Sequence, residues 1–307
     1  MTVLPLVSVI VPCYNAETTL PVTLASVRAQ TWPAIEIVAV DDGSRDGTLS
    51  LLRAHEAEDF RVLAQPNAGA AAARNAAIAV AKGEVFAFLD ADDSWHPEKI
   101  ARQMDIFAAN PAIAMVGCRA EVVRLDGTRE PVNPTREPPV GPMAWRTLLH
   151  HSFLVPSVVA VRAEIAREIG GFTARYRAGE DDQDFCIRMA LQGESGFIDA
   201  ALVTMHQQPG SLSIVHLARE HETVLPMILA HCAALADRLS PGEMREILGA
   251  RYGQIGRNAY LGAPAVGARL LCQAILKGND PLGNLRYLLT AAPWTRRAKR
   301  FLKIGHR

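Results

Sequence analysis

The chain has no cysteine pair to build with. Its five cysteines, Cys13, Cys118, Cys186, Cys232 and Cys272, are scattered and form no CxxC. That spacing offers neither a zinc site nor a disulfide framework, and it fits a reducing compartment. An excess of positive charge is also missing: Lys+Arg and Asp+Glu are 32 each, so the net charge is +0. A general nucleic-acid binder would carry a basic surplus, and no nucleic-acid partner is expected. No long apolar run occurs. The longest candidate, 223–236, holds a proline and a histidine and is too short to cross a bilayer as a helix. The first residues, MTVLPLVSVIVP, lack the positive n-region of a signal peptide. These absences lead to the expectation of a cytoplasmic protein, at most peripheral on the cytoplasmic membrane face. Internal repeats and low-complexity tracts are absent too.

What is present is alternation. The 307 residues are long for one compact domain and short for three, so one large α/β domain with a smaller appendage is expected. Between residues 6 and 118, short β-branched runs (7–11, 35–40, 61–64, 84–89, 113–118) alternate with helical stretches (18–30, 46–57, 70–81, 97–109). The strands are near-continuously apolar, as strands buried on both faces of a parallel sheet are. Such alternation predicts a doubly wound, mostly parallel sheet. The Ala-rich helix after Asn67 reads as packed closely on the sheet and ended by Gly83. Five prolines between 127 and 142 predict a loop. A strand over 157–161, a helix over 163–169 and a helix opened by GEDDQDF follow. Beyond His216 the pattern is helical, with breaks near Pro241, Pro264, Pro281 and Pro293.

Carboxylates crowd at the predicted strand ends, where open parallel sheets bind ligands. The run FLDADDSW places Asp90, Asp92 and Asp93 within four positions. Like charges that close repel unless a cation sits among them. Two readings stand: the acids cap the helix that begins near Pro97, or Asp90 and Asp92 hold a divalent cation, which takes one or two carboxylates plus substrate phosphates. In DDGS, Asp41 and Asp42 serve either a tight turn or the imide N–H of a base and a ribose hydroxyl. Arg74 either balances acids or meets a nucleotide. In GEDDQDF the acids suit a helix N-terminus, and Asp184 and Arg188 stand i,i+4 as an ion pair.

Taken in order, VSVIVPCYNAETTL, IEIVAVDDGSRDGT, QPNAGAAAARNAAI, GEVFAFLDADDSWHPEKI, SVVAVRAEIAREIGGF and GEDDQDFCIRMALQG resemble family 2 glycosyltransferases. The resemblance covers residues 5–215 and implies the A-type glycosyltransferase fold. It further implies that residues 1–215 form a nucleotide-sugar-binding catalytic domain, with 216–307 as a helical C-terminal region. The implied activity is inverting transfer of a sugar, from UDP-sugar by expectation, to a hydroxyl of a glycan or lipid-linked acceptor, with Mg2+ or Mn2+. Pro12, Tyr14 and Asn15 would line the base pocket with Arg74 nearby, and Asp41 and Asp42 would meet base and ribose. Asp90 and Ala91 would lie on the nucleotide, and Asp90 and Asp92 match the DxD, with Asp92 as direct metal ligand. The family's Glu-Asp-x-Asp-Leu-x-x-Arg pattern is shifted here. Counting back from Arg188 puts the general base at Asp182; counting forward from Gly179 puts it at Asp181. His206 stands beside the expected diphosphate or metal, or is a structural histidine. The shifted motif keeps a second function open, a non-catalytic nucleotide-sugar-binding partner of another transferase. A sugar nucleotidyltransferase is disfavoured by the lack of a Gly-rich, basic triphosphate loop.

Past Asp280 there is no acid and seven cations: Arg286, Arg296, Arg297, Lys299, Arg300, Lys303 and Arg307. Trp294, Ala298, Phe301 and Leu302 fall on one face of a basic amphipathic helix. That helix either contacts an anionic membrane or packs on its own domain.

Overall fold

The computed structural model describes residues 4–133, 136–174, 176, 180–208 and 219–290; the side chains of 261, 289 and 290 are outside that description. The chain forms two compact units. Unit 1 comprises Met1–Leu148, Ser152–Arg177 and Asp181–Pro209; unit 2 comprises Leu149–His151, Ala178–Glu180 and Gly210–Arg307.

The first unit is built on strands β1 (Val7–Cys13), β2 (Ile35–Asp41), β3 (Phe60–Ala64) and β4 (Val85–Phe88). All pair in parallel, β3-β2-β1-β4. The apolar runs of β1, β2 and β4 are largely buried on both faces, whereas β3, at the sheet edge, buries only Phe60. Helices α1 (Leu20–Arg28), α2 (Thr48–Ala54), α3 (Ala70–Val80) and α4 (Lys99–Ala109) connect them or follow. The close approach expected of the Ala-rich helix is seen in Ala71, Ala73 and Ala77, all buried. The helix ends at Ala81 in extended backbone rather than at Gly83. Gly83 instead abuts the first strand: a Cβ there would lie 2.6 Å from the Ser8 nitrogen.

Beyond β4 the sheet becomes mixed. A short β5 (Asp93–Trp95) follows the acidic turn, then β6 (Ile113–Val123), β7 (Arg129–Pro131), β8 (Ala160–Arg162) and β9 (Glu194–His206). The order continues β4-β8-β6-β9-β5, with β7 on β6. β8 runs antiparallel to β4 and β6, whereas β6 and β9 are parallel. Three corrections to the sequence reading follow. The run 157–161 divides into a 3-10 turn, Pro156–Val158, and β8. The proline-rich loop contains β7, an edge strand on which Pro131 costs no interior ladder bond. β5 and β9 carry no clear alternation and were not anticipated. The remaining helices of this unit are α5 (Ala144–His150), α6 (Ala163–Glu168) and α7 (Glu180–Gln192).

The second unit carries α8 (Val224–Ala234), α9 (Pro241–Gly262), α10 (Pro264–Leu276) and α11 (Pro281–Thr290). The prolines open helices, where a missing N–H costs nothing. Ser240 and Glu243 form a reciprocal capping box at the start of α9. No helix among the described residues is long and apolar enough to cross a membrane. The basic amphipathic stretch 294–303, and with it the break near Pro293, lies outside the described residues.

At the α9–α10 hairpin, a Cβ on Gly267 would lie 2.6 Å from the backbone nitrogen and Cα of Tyr260. Backbone cannot yield there as a side-chain tip would. Gly267→Ala should therefore destabilise by about 1–3 kcal/mol, the usual cost of overpacking. A urea midpoint unchanged from wild type would show that the two helices pack more loosely than described.

Candidate active site

The carboxyl ends of β1, β2 and β4 meet at one rim. The loops after β1 and β2 are joined by hydrogen bonds. The Asn15 N–H donates to Ser44 Oγ (3.0 Å), and Asn15 Oδ1 accepts from the Arg45 N–H (2.8 Å). Asn15 has φ 50, a conformation Asn tolerates better than most residues. Pro12 closes β1 from within, and Tyr14 stands 47% exposed above the rim. Between them Cys13 is wholly buried. Burial, then the charges of Asp41 and Asp90, drive its thiol pKa up, so it is no nucleophile.

Asp41 and Asp42 are both 3% exposed but differ in their partners. Asp42 takes three donors: Oδ1 accepts from Gln65 Nε2 (2.7 Å) and the Ala68 N–H (2.9 Å), and Oδ2 from the Gly69 N–H (2.8 Å). It ties β2 to the start of α3. Asp41 Oδ2 accepts from the Ser44 N–H at 3.3 Å, while its Oδ1 is buried with no partner. A buried acceptor left open is costly unless a ligand supplies the donor.

Arg74, 3% exposed on α3, gathers the acids. Its Nη2 bonds Asp90 Oδ1 at 2.7 Å, and its Nη1 bonds Asp182 Oδ1 at 3.0 Å and Asp181 Oδ2 at 3.2 Å. The guanidinium also lies 5.1 Å from the Phe172 ring centroid. Burial would lower its pKa, but Asp90, Asp182 and Asp181 outweigh burial and raise it. Of the two roles the sequence left to Arg74, the structure shows the balancing of acids. Its Nε–H is buried and unpartnered.

The turn after β4 is closed by the Asp93 N–H on Asp90 O at 3.0 Å. Ala91 is buried within it. Burial first, then Asp90, push the Asp92 carboxyl up to about 6. Asp93, 5% exposed, is raised well above the carboxylate range by burial and then by Asp90 and Asp92. β5 pairs antiparallel with β9, Asp93 opposite Met205, which brings His206 to the same corner. His206 Nε2 lies 3.3 Å from Ser94 Oγ. Among the described residues, no three His, Cys, Asp or Glu side chains converge as a complete metal cage. Two carboxylates, Asp90 and Asp92, in a cluster whose negative charge exceeds the single Arg74, still fit Mg2+ or Mn2+, which complete their shells with water and phosphate oxygens.

On α7, Asp182 is the more open acid, with 20% side-chain exposure against 7% for Asp181. Burial, then Asp181, raise the Asp182 pKa well above the usual range, against the pull of Arg74. Asp184 and Arg188 do pair, at 2.8 Å, and Arg188 donates to the carbonyls of Ile169 and Gly171. Phe172 and Phe185 stack at 4.0 Å with Phe88 edge-on, giving the acid cluster an apolar floor. The sequence reading missed Asn75, which bonds both backbone groups of Phe172 at 2.8 Å, and the hydroxyls of Thr23 and Ser157 beside the acidic turn. Asn75 directly follows Arg74 and could have been suspected; nothing local marks the two hydroxyls. The stretch 209–218, with the Pro-Gly-Ser of HQQPGSLS, and Gly179 lie outside the described residues.

Known proteins share this fold. The solved structure of S. aureus TarS 1-349 superposes with a TM-score of 0.65 at 20% identity, covering 89% of this chain and 80% of that one. The mannosyltransferase PcManGT from Pyrobaculum calidifontis, in complex with GDP-Man and Mn2+, gives 0.62 at 21% identity over 99% and 85%. At that identity the likeness is one of fold, the A-type glycosyltransferase fold. The putative teichuronic acid biosynthesis glycosyltransferase TuaG of Bacillus subtilis (strain 168) is 45% identical over 127 residues, 40% of this chain. The match spans half of that relative's length. The family model for glycosyl transferase family 2 matches residues 8–170, just over half of the chain, and the chain belongs to that family.

Proposed function

We propose that the protein is an inverting glycosyltransferase that moves a sugar from a nucleoside-diphosphate donor, UDP-sugar by preference, to a hydroxyl of a glycan or lipid-linked acceptor. One observation carries the reading: Arg74 draws the acidic turn and the α7 acid pair, 107–108 residues away from it, onto one rim. The unpartnered Asp41 Oδ1 suits the imide N–H of a pyrimidine base, with Pro12, Tyr14 and Asn15 around it. Asp92, with Asp90, would hold Mg2+ or Mn2+ there, and His206 stands near. Such a cation, when bound, neutralises the charge that develops on a departing diphosphate. Support comes from neighbours in fold: TarS 1-349 is known in complex with UDP, and PcManGT with GDP-Man and Mn2+.

Asp182 is the general base in this reading. It is the more accessible acid, and its raised pKa brings it nearer the working pH, where a base is most effective. It takes the proton of the acceptor hydroxyl as that oxygen bonds to the anomeric carbon and the bond to the diphosphate breaks. A single base and a single displacement invert the anomeric centre. Asp181, more deeply buried on Arg74, sets the charge around it. Residues 1–215 would form the donor-binding catalytic domain, with 127–150 and the helices of 216–307 serving the acceptor.

The seven cations after Asp280 suit contact with an anionic membrane surface, and Leu282 and Leu285 on α11 are 82% and 47% exposed. The full chain should float with anionic liposomes at low salt and be released by high salt. Absence of flotation at low salt rules the contact out.

Further outcomes test the site. Calorimetry should show UDP binding strengthened by Mn2+ in wild type, with the metal-linked part lost in Asp92→Ala; equal affinity and metal dependence in both proteins would reject the metal assignment. Asp182→Asn should cut transfer by about 10²–10⁴ with UDP binding retained. A base must be ionised, so kcat should rise with pH through the raised Asp182 pKa to a plateau. Asp181→Asn removes a neighbouring like charge and should move that limb to lower pH. Nucleotide binding without transfer or donor hydrolysis in wild type would favour a binding-only partner instead.

A further inference from the structure

The turn that carries Asp90 and Asp92 has a single internal backbone bond, yet it holds three carboxyl groups in four residues. Left to that bond alone, the carboxylates would splay. Two buried hydroxyls from other elements hold it on opposite sides. Thr23, 1% exposed on α1, donates to the carbonyls of Ala91 (3.0 Å) and Asp93 (2.8 Å). Ser157, wholly buried in the 3-10 turn before β8, accepts the Asp90 N–H at 3.1 Å. Its own carbonyl takes the Trp95 indole N–H at 2.9 Å, which fixes the far end of the same segment. The Trp95 ring in turn lies 4.0 Å from the buried Lys99 ammonium.

Thr23 bonds backbone carbonyls of the turn, while Ser157 accepts the Asp90 N–H and also bonds the buried Asp93 carboxyl. These bonds set the turn's position and tilt without occupying an oxygen of Asp90 or Asp92. The single Thr23 O–H also has the Thr19 carbonyl of its own helix at 3.5 Å, yet its two shorter contacts are to the turn. Here both hydroxyls, 134 positions apart in the chain by their numbers, converge on the four residues that bear the acids.

We propose that Thr23 and Ser157 are positioning residues that aim the carboxylates of Asp90 and Asp92 at the donor's diphosphate and its divalent cation. The proposal rests on the reading of the acidic turn given above. It makes α1 and the segment before β8 part of the donor site, although neither need touch the donor.

The experiment measures UDP affinity by calorimetry, in Mn2+ and in EDTA, for wild type, Thr23→Val, Thr23→Ser and Ser157→Ala. Losing an orienting partner typically costs about 10–100-fold in metal affinity, so Thr23→Val and Ser157→Ala should each lose that much of the Mn2+-linked gain while EDTA affinity stays within about twofold. Thr23→Ser keeps the hydroxyl and should restore the gain. The proposal is overturned if either folded variant keeps the full gain, or if affinity in EDTA falls in parallel with affinity in Mn2+. Thr23→Val and Ser157→Ala alter separate elements, so either one that folds, as judged by circular dichroism, decides the matter. A wild type with no Mn2+-linked gain would instead bring down the metal reading of the turn itself, which separates the two failures.

Discussion

The site depends on one buried cation. Arg74 sits at 3% exposure with Asp90, Asp181 and Asp182 within 3.2 Å of its guanidinium nitrogens. Arginine suits this place because its planar fork presents several donors at once and it stays charged when desolvated. The arrangement is costly to interrupt: a buried charge that loses its partner typically destabilises by about 3–5 kcal/mol. Arg74 is therefore committed to joining the β4 turn to α7. The carboxylates it joins come from segments about 90 residues apart, and only their common partner explains why repelling groups share a rim.

The same physics divides chemically identical aspartates among different tasks. Asp42 has three N–H donors that tie β2 to the start of α3. Its neighbour Asp41 keeps one buried oxygen open. Asp93 is buried behind the turn, while Asp92, its neighbour, reaches about 6 through burial and Asp90. Such crowding opposes stability at neutral pH. A carboxyl whose folded pKa lies above its unfolded value of 3.8 favours the fold below that value, and the benefit is lost as pH rises through about 6. Perturbed groups of this kind cluster at functional sites more often than elsewhere.

Much of this was legible beforehand, for reasons that differ by element. β1, β2 and β4 could be read because burial on both faces leaves an unbroken apolar run, and β3, at the sheet edge, from its place in the alternation. The helices opened by Pro241, Pro264 and Pro281 could be read because proline tolerates few positions, and the first helical turn is one of them. β9 could not. Its sequence, ESGFIDAALVTMH, pairs along its length with β6 but meets β5 over only three residues, so it carries no clean alternation. β5 is three residues long and exists only because β9 is there to receive it.

The amino-acid sequence by itself determined the alternating frame, the placing of acids at strand ends and the order of motifs that marks the family, because each is a local pattern of burial or charge. The tertiary structure alone decided the surroundings of each acid. Arg74's choice of partners, the open oxygen on Asp41 and not on Asp42, the greater exposure of Asp182 over Asp181, and the hydroxyl supports from Thr23 and Ser157 all depend on strand register and long loop closure. Contacts between residues tens to more than a hundred positions apart leave no periodic trace in a chain. They come into being only when the sheet brings its carboxyl ends together.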